Sequence, residues 1–532
     1  MEIKRKKKTI LFLALLSLLY FCALIPANLI GAETPEMLEV FEVDEYAQYP
    51  HLIRMLTPGD SLYQSLRKFF IYLHYFYGFP FYFWSALSVL PLKLFAGVWP
   101  GNTRVIVCVL RQMISVLPMI FSAGLLTWIF TKFRSTLISV ILFSFLLTMP
   151  AVLLNDFWWH PDSLTLFFLC LTFFFLDRDR MRCGRNFLFA AFFCGAAIGT
   201  KYLGFYFVLA IPAYLLCCRF AGTIGTKQIF GKAAVFVLVM AAAVIFSDPL
   251  LLLPQERAEI FGIMKQQTEL SGSGIFLRYE NTFLENGRLP LWLTDHYMGV
   301  FMIVLSAAGL VCAIILSNRV RRTMAILLIC YLGVACTINL NAAASRLHYY
   351  LPIMLPLACC PVWLGDVFPD RFRKTALILL CALFAVQIGL NLRTDVQLMK
   401  TQLHREENSG SIALYEELHG NFLPLPEVPA ERMTRVYRDW KAYFPEQEGY
   451  VILTDWNLAS FPLVEEWQPD LILLEKENIR AYSTADIAER AVNADKMADA
   501  AAFYSAAAEK MIPGYEFLTE NNFGMVFRKA LP

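Results

Sequence analysis

The sequence predicts a mainly α polytopic membrane protein with about eleven transmembrane helices, outer juxtamembrane helices and a small C-terminal extracytoplasmic α/β domain. Three observations carry this. Of the 532 residues, 58% are hydrophobic and only 17% charged, whereas a soluble chain averages about a quarter charged. The apolar residues come in runs of about 20, the length of one bilayer crossing. The basic residues fall between those runs, so that one choice of topology gathers them on a single side. Forty-five Phe, 23 Tyr and 10 Trp suit lipid contact and membrane interfaces. This composition excludes a disordered chain, a coiled coil and an ordinary cytosolic enzyme. The sequence has no basic face or aromatic-basic module that would take a nucleic acid.

The first element is a basic cluster, Lys4-Arg5-Lys6-Lys7-Lys8, followed by an apolar run to Ile30. It reads as an uncleaved first span with a cytoplasmic N-terminus, since a signal peptide has a shorter apolar core and a cleavage site. Residues 69–98 are also apolar. If they crossed, Lys132/Arg134 and the loop Arg178–Arg185 would fall outside, against the positive-inside rule. The run is aromatic and broken by Gly78, Pro80 and Pro91, which fits a helix lying in the outer interface. With that assignment the basic loops all fall inside. The expected spans are 10–30, 105–130, 136–154, 157–176, 187–201, 202–218, 233–252, 297–316, 323–340, 347–364 and 375–392. Outer polar regions follow at 31–104, 253–296 and 393–532. The chain thus divides into a membrane domain, 1–392, and a soluble domain, 393–532. The latter has 14 basic and 23 acidic residues. It shows strand-like runs at 450–453 and 471–474 and an Ala-rich helical stretch over 481–510.

The 13 cysteines lie in apolar runs, apart from Cys183 in a basic loop. A secreted disulfide framework is not expected. Together with the lack of Asn-x-Ser/Thr sequons, this points to a multi-pass protein of a prokaryotic plasma membrane.

Polar residues gather at the outer ends of the spans. Asp44-Glu45 follows span one, in a helical-looking stretch from Val43 to Leu56. A carboxylate at an interface can act as general base or ligate a divalent metal; a solvated loop acid is the plainer reading. His160-Pro161-Asp162 lies beside two tryptophans. Asp162 suits a helix N-terminus after Pro161 as well as it suits a site. Lys201 sits between two apolar runs, placed to snorkel or to meet a phosphate. Arg346 and His348 open span ten. Carboxylates, histidines and cations on one face suit a lipid-phosphate substrate.

The order of these features over residues 1–392 resembles the C-type (GT-C) polytopic membrane glycosyltransferases, in the branch of protein O-mannosyltransferases and lipid A aminoarabinose transferases. The resemblance rests on Asp44-Glu45 after span one, the segment Tyr77–Trp84 and the Gly-rich run ending at Lys201. It rests also on Asp248-Pro249 and on Arg346 followed by Tyr350-Leu351-Pro352. It implies transfer of a sugar from a polyprenyl-phosphate donor to an acceptor hydroxyl on the outer face, with inversion. Asp44 would be the base and Glu45 its assistant. Arg346, with Lys201, would neutralise the lipid phosphate. His160, Asp162, His348 and Tyr82 would line the substrate pocket. Some branches use a divalent metal, for which Asp44, Glu45 and His160 are the candidate ligands. The acceptor would be a protein, a glycan or a lipid. A transporter or flippase of lipid-linked glycans is the alternative, but it would place its charges near the bilayer midplane.

Overall fold

The computed structural model describes residues 2–97, 99–274, 276–278, 287, 289–342, 346–366, 370–425, 428, 432–453, 458–484, 486–487 and 489–530. A first helix, Glu2–Asn28, carries the basic cluster at its start. Gly31, in the left-handed region at φ 76°, turns the chain, and a Cβ there would strike the Arg405 guanidinium. The outer loop then forms four helices: Pro35–Phe41, Val43–Leu56, Leu62–Phe70 and Phe79–Pro91. Thr34 and Ser61 cap two of them with their hydroxyls. Their buried residues form a separate core of Leu52, Tyr72, Phe81, Tyr82 and Trp159.

The larger core belongs to the membrane bundle. Thr103–Thr131 is one rod with a π-helical turn at Arg111–Val116. Asp162–Asp179 packs between it and Arg185–Lys201, which packs in turn on Thr226–Ser247. Among the described residues, eight helices are long and apolar enough to cross a membrane. A bent pair, Leu289–His296 and Val300–Leu316, makes a ninth if counted as one span. Each of the eleven expected spans is helical, but not all are long unbroken helices. The stretch 136–154 divides into Thr136–Leu147 and Pro150–Asn155, because Pro150 starts a new helix. Asp162–Asp179 and Arg185–Lys201 have 18 and 17 residues, with charges at their ends. Within the segment 69–98, expected to lie flat, the helix Phe79–Ala96 is as long and apolar as a span. It packs on the first part of Thr103–Thr131 and bonds at helix ends: Gly78 N–H donates to Thr200 O at 3.1 Å, Trp159 Nε1 donates to Ser85 at 2.8 Å, and Lys93 reaches Leu56 O.

The last membrane helix, Asp370–Leu403, runs eleven residues past the expected boundary at 392. The C-terminal domain is an α/β unit, as expected. Its strands are β1 (Thr434–Arg438), β2 (Tyr450–Leu453), β3 (Leu471–Glu475), β4 (Tyr515–Glu520) and β5 (Gly524–Lys529), in the order β2-β1-β3-β5-β4. β1 is parallel to both β2 and β3; β5 is antiparallel to β3 and β4. β3 is buried at all five positions, the mark of a central strand covered on both faces. Helix Gly410–Asn421 covers one face of the sheet, and helices Phe461–Trp467 and Ala494–Ala508 cover the other.

This domain is bolted to the first outer loop. Arg438, at the end of β1, pairs with Glu39 in a buried contact. Arg405 lies 3.6 Å from Glu42 and donates to Ile30 O. A second attachment joins residues 276–278 to the domain, where Arg278 N donates to Arg490 O at 2.7 Å and Val492 N to Phe276 O at 2.9 Å.

Candidate active site

Five separate pieces of chain meet at one end of the bundle. Asp44 stands in the first turn of Val43–Leu56, where a carboxylate is favoured by the helix dipole. His160 occupies the link before Asp162–Asp179, whose first residue is Asp162. Lys201 ends Arg185–Lys201. His348 lies in the 3-10 turn Leu347–Tyr350. Tyr77 arrives on the loop, fixed by its neighbour Gly78, where a Cβ would overlap the Gly199 carbonyl.

Asp162 is the centre. Its two oxygens accept from Lys201 Nζ at 2.8 and 2.9 Å. Its Oδ2 also meets His160 Nδ1 and lies 3.9 Å from His348 Nε2. With Nδ1 facing a carboxylate, His160 carries its proton there, which leaves Nε2 to accept from the Tyr77 hydroxyl at 2.7 Å. The imidazole stacks on Trp158 at 4.1 Å and 5°. His160 and Asp162 are buried, so the ion pair with Lys201 is largely shielded from water. Asp44 differs. Its side chain is 49% exposed, with Oδ2 3.8 Å from His160 Nε2. It is the accessible carboxylate at the rim of a fixed polar floor. The Lys201 ammonium also lies 5.0 Å from the Tyr349 ring.

Two expected positions fall elsewhere. Glu45 is fully buried and faces away from the cluster. Arg111 holds both its oxygens, through Nε at 2.8 Å and through Nη2, and the Trp159 N–H donates to it at 2.6 Å. An acid so fully engaged serves neither as a second base nor as a metal ligand. Tyr82 is buried in the loop core, bonded to His74 Nδ1 at 2.6 Å; Tyr77, five residues earlier, is the tyrosine that reaches the cluster. Arg346 is exposed, two residues before His348, at the start of the 3-10 turn. Glu42 precedes the same helix at its N-cap position, without a side-chain capping bond. Burial and then the charge of Glu45 push its carboxyl up to about 7.

The donor set bears on a metal. Asp44, Glu45 and His160 do not converge. Ligand atoms of His160, Asp162 and His348 do lie within 4.8 Å of one another. However, Lys201 already occupies both oxygens of Asp162, and Tyr77 occupies His160 Nε2. A dication would have to displace an ammonium that the chain itself supplies. The arranged residues therefore do not fit a resident metal.

No protein-family model matches the sequence, and neither does any curated protein. Solved structures do. ArnT from Cupriavidus metallidurans bound to undecaprenyl phosphate superposes with a TM-score of 0.56 at 11% identity, over 98% of each chain. The same protein in the apo state gives 0.52 at 10%, again over 98% of each chain. The chain therefore has the GT-C fold of these structures, membrane bundle and C-terminal domain together, in an integral membrane protein.

Proposed function

We propose that this chain is a membrane glycosyltransferase that moves a sugar from a polyprenyl-phosphate donor to an acceptor hydroxyl at the outer face. The observation that carries the reading is the half-exposed Asp44 set against His160 at the rim of the Asp162–Lys201 floor. The fold, shared with a protein solved with undecaprenyl phosphate, supports the donor class.

Asp44 takes the proton of the acceptor hydroxyl as that oxygen attacks the anomeric carbon. The bond to the carrier phosphate breaks in the same displacement, so the anomeric centre inverts. The phosphate leaves as an anion and needs no general acid. Lys201 spends two N–H groups on Asp162 and turns its third towards that anion, while exposed Arg346 adds a second charge. His160 does not titrate in this scheme. Held by Asp162, Tyr77 and Trp158, it fixes the wall against which Asp44 and the acceptor are placed. The acceptor is a protein, glycan or lipid hydroxyl.

The test is turnover in nanodiscs with a panel of radiolabelled polyprenyl-phosphate sugars. Wild type consumes one donor, and folded Asp44→Asn and Arg346→Ala lose that turnover. Wild-type rates in Asp44→Asn would refute the assignment of the base.

A further inference from the structure

A groove runs along the bundle, with its mouth at the end opposite the polar cluster. A cavity of about 930 Å³ lies between Glu2–Asn28, Thr103–Thr131 and Asp162–Asp179. Its walls are apolar, with Leu13, Phe21, Ile120, Phe121 and Leu171 along the length. Gly124 lies on the floor, and a Cβ there would meet nothing within 4 Å. Volume and lining fall in the range of ligand sites. The groove runs from Phe21 down to Ile10 on the first helix, and Arg178 is the one charged residue that lines it. Arg178 is sixteen residues beyond Asp162 on the same helix, about 24 Å from the polar cluster at 1.5 Å per residue.

The charge at that mouth is surplus. Asp177 is paired with Lys132. Asp179 accepts from Cys183 N at 2.7 Å, Gly184 N at 2.9 Å and the Tyr214 hydroxyl at 2.7 Å. The Arg178 guanidinium lies over the Phe174 ring at 5.5 Å, and the neighbouring Asp177 carboxylate, which feels its charge, is bonded to Lys132 instead. Lys7 and Lys8, at the base of the first helix, are exposed and precede the groove by one turn. A basic mouth on an apolar groove between spans is the chemistry that holds an anionic headgroup with its chains inside the protein outline.

We infer that this groove binds an anionic glycerophospholipid, its phosphate on Arg178 and its acyl chains along Gly124. The site is separate from the proposed reaction and does not depend on it. The full-length protein is placed in nanodiscs of equal phosphatidylglycerol and phosphatidylcholine, and retained lipid is read by native mass spectrometry. Wild type retains phosphatidylglycerol in preference. Arg178→Gln cuts the preference about fivefold, the weight of one basic residue near an anionic headgroup. Gly124→Phe, which fills the floor, removes the retained lipid. Arg178→Gln changes one exposed side chain and keeps the test decisive if the Gly124 variant does not fold. Equal retention of both lipids by wild type, or a preference unchanged in Arg178→Gln, would overturn the site. So would displacement of phosphatidylglycerol by an equal amount of undecaprenyl phosphate, which would mark the groove as a carrier site instead.

Discussion

Asp44 and Asp162 are both carboxylates at the same bundle end, and their surroundings give them different work. Asp162 is buried and saturated by Lys201 and His160; Asp44 is half-exposed. Asp44→Asn should lower turnover by about 10²–10⁴, the usual weight of a general base, with donor affinity unchanged in a binding assay. Removing Lys201 alone strands a buried charge, which costs roughly 3–5 kcal/mol; Lys201→Met should therefore lower the thermal midpoint sharply. The double variant Asp162→Asn/Lys201→Met should regain most of that midpoint without regaining turnover, which separates scaffold from chemistry. Tyr77→Phe leaves His160 Nε2 without its donor and should reduce turnover while leaving the melting curve near wild type. At this scale the sequence was largely legible. Asp44, His160, Asp162, Lys201 and His348 stood out in the sequence as polar residues at span ends, because a membrane makes any such group conspicuous, and the fold brings them together. Glu45 was misjudged because adjacent residues on a helix point about 100° apart, and only the fold shows that Arg111 waits on the inner side. Tyr82 was chosen from the right segment, but nothing in an aromatic run tells which ring faces a pocket. Arg111 itself was hidden in an apolar span; a lone arginine there was the available signal.

Between the site and the whole molecule stand the first-loop helices and their bolts. The Glu39–Arg438 pair is buried on both sides. Arg438→Met should cost roughly 3–5 kcal/mol of local stability, read as faster hydrogen exchange in Pro35–Phe41 and Val43–Leu56. Adding Glu39→Gln should slow that exchange again. Within the C-terminal domain, burial raises Asp439 to about 6, even though it accepts from Glu475 N, Asn478 and Tyr504. Burial likewise lifts Glu475 to about 7. Both folded values lie above the unfolded ones, so the folded domain binds more protons across this window. The stability these two groups contribute should be fully present below about pH 4 and be lost as the pH rises through 6 to 7. Denaturant melts at pH 4.5 and 8 check the sign, and Asp439→Asn should flatten the slope. The strands β2 and β3 were legible from their apolar runs. Pairing order was not, since register depends on partners distant in the chain.

For the molecule as a whole, charge placement and apolar length gave different answers at one segment. Phe79–Ala96 is long and apolar enough to cross, and it bonds to Trp159 and Leu56 at the bundle end that carries the polar cluster. Length says what a helix can do, whereas loop charge says what the whole set of helices must do together. The attachment of the C-terminal domain was not visible in the sequence at all. A pair such as Glu39 and Arg438 has no local signature.

That separation has a consequence for how the protein comes into being. Glu39 and Arg438 are 399 positions apart, and Arg405 is 375 from Ile30. The loop bearing Asp44 emerges early in synthesis, and these two clamps emerge hundreds of residues later. At roughly 5–20 residues per second, the loop waits on the order of tens of seconds, held by its bundle contacts alone, before Arg438 arrives at the end of β1. A chain halted before residue 438 holds this loop by its bundle contacts, Glu45 with Arg111 among them, and lacks the Glu39–Arg438 pair.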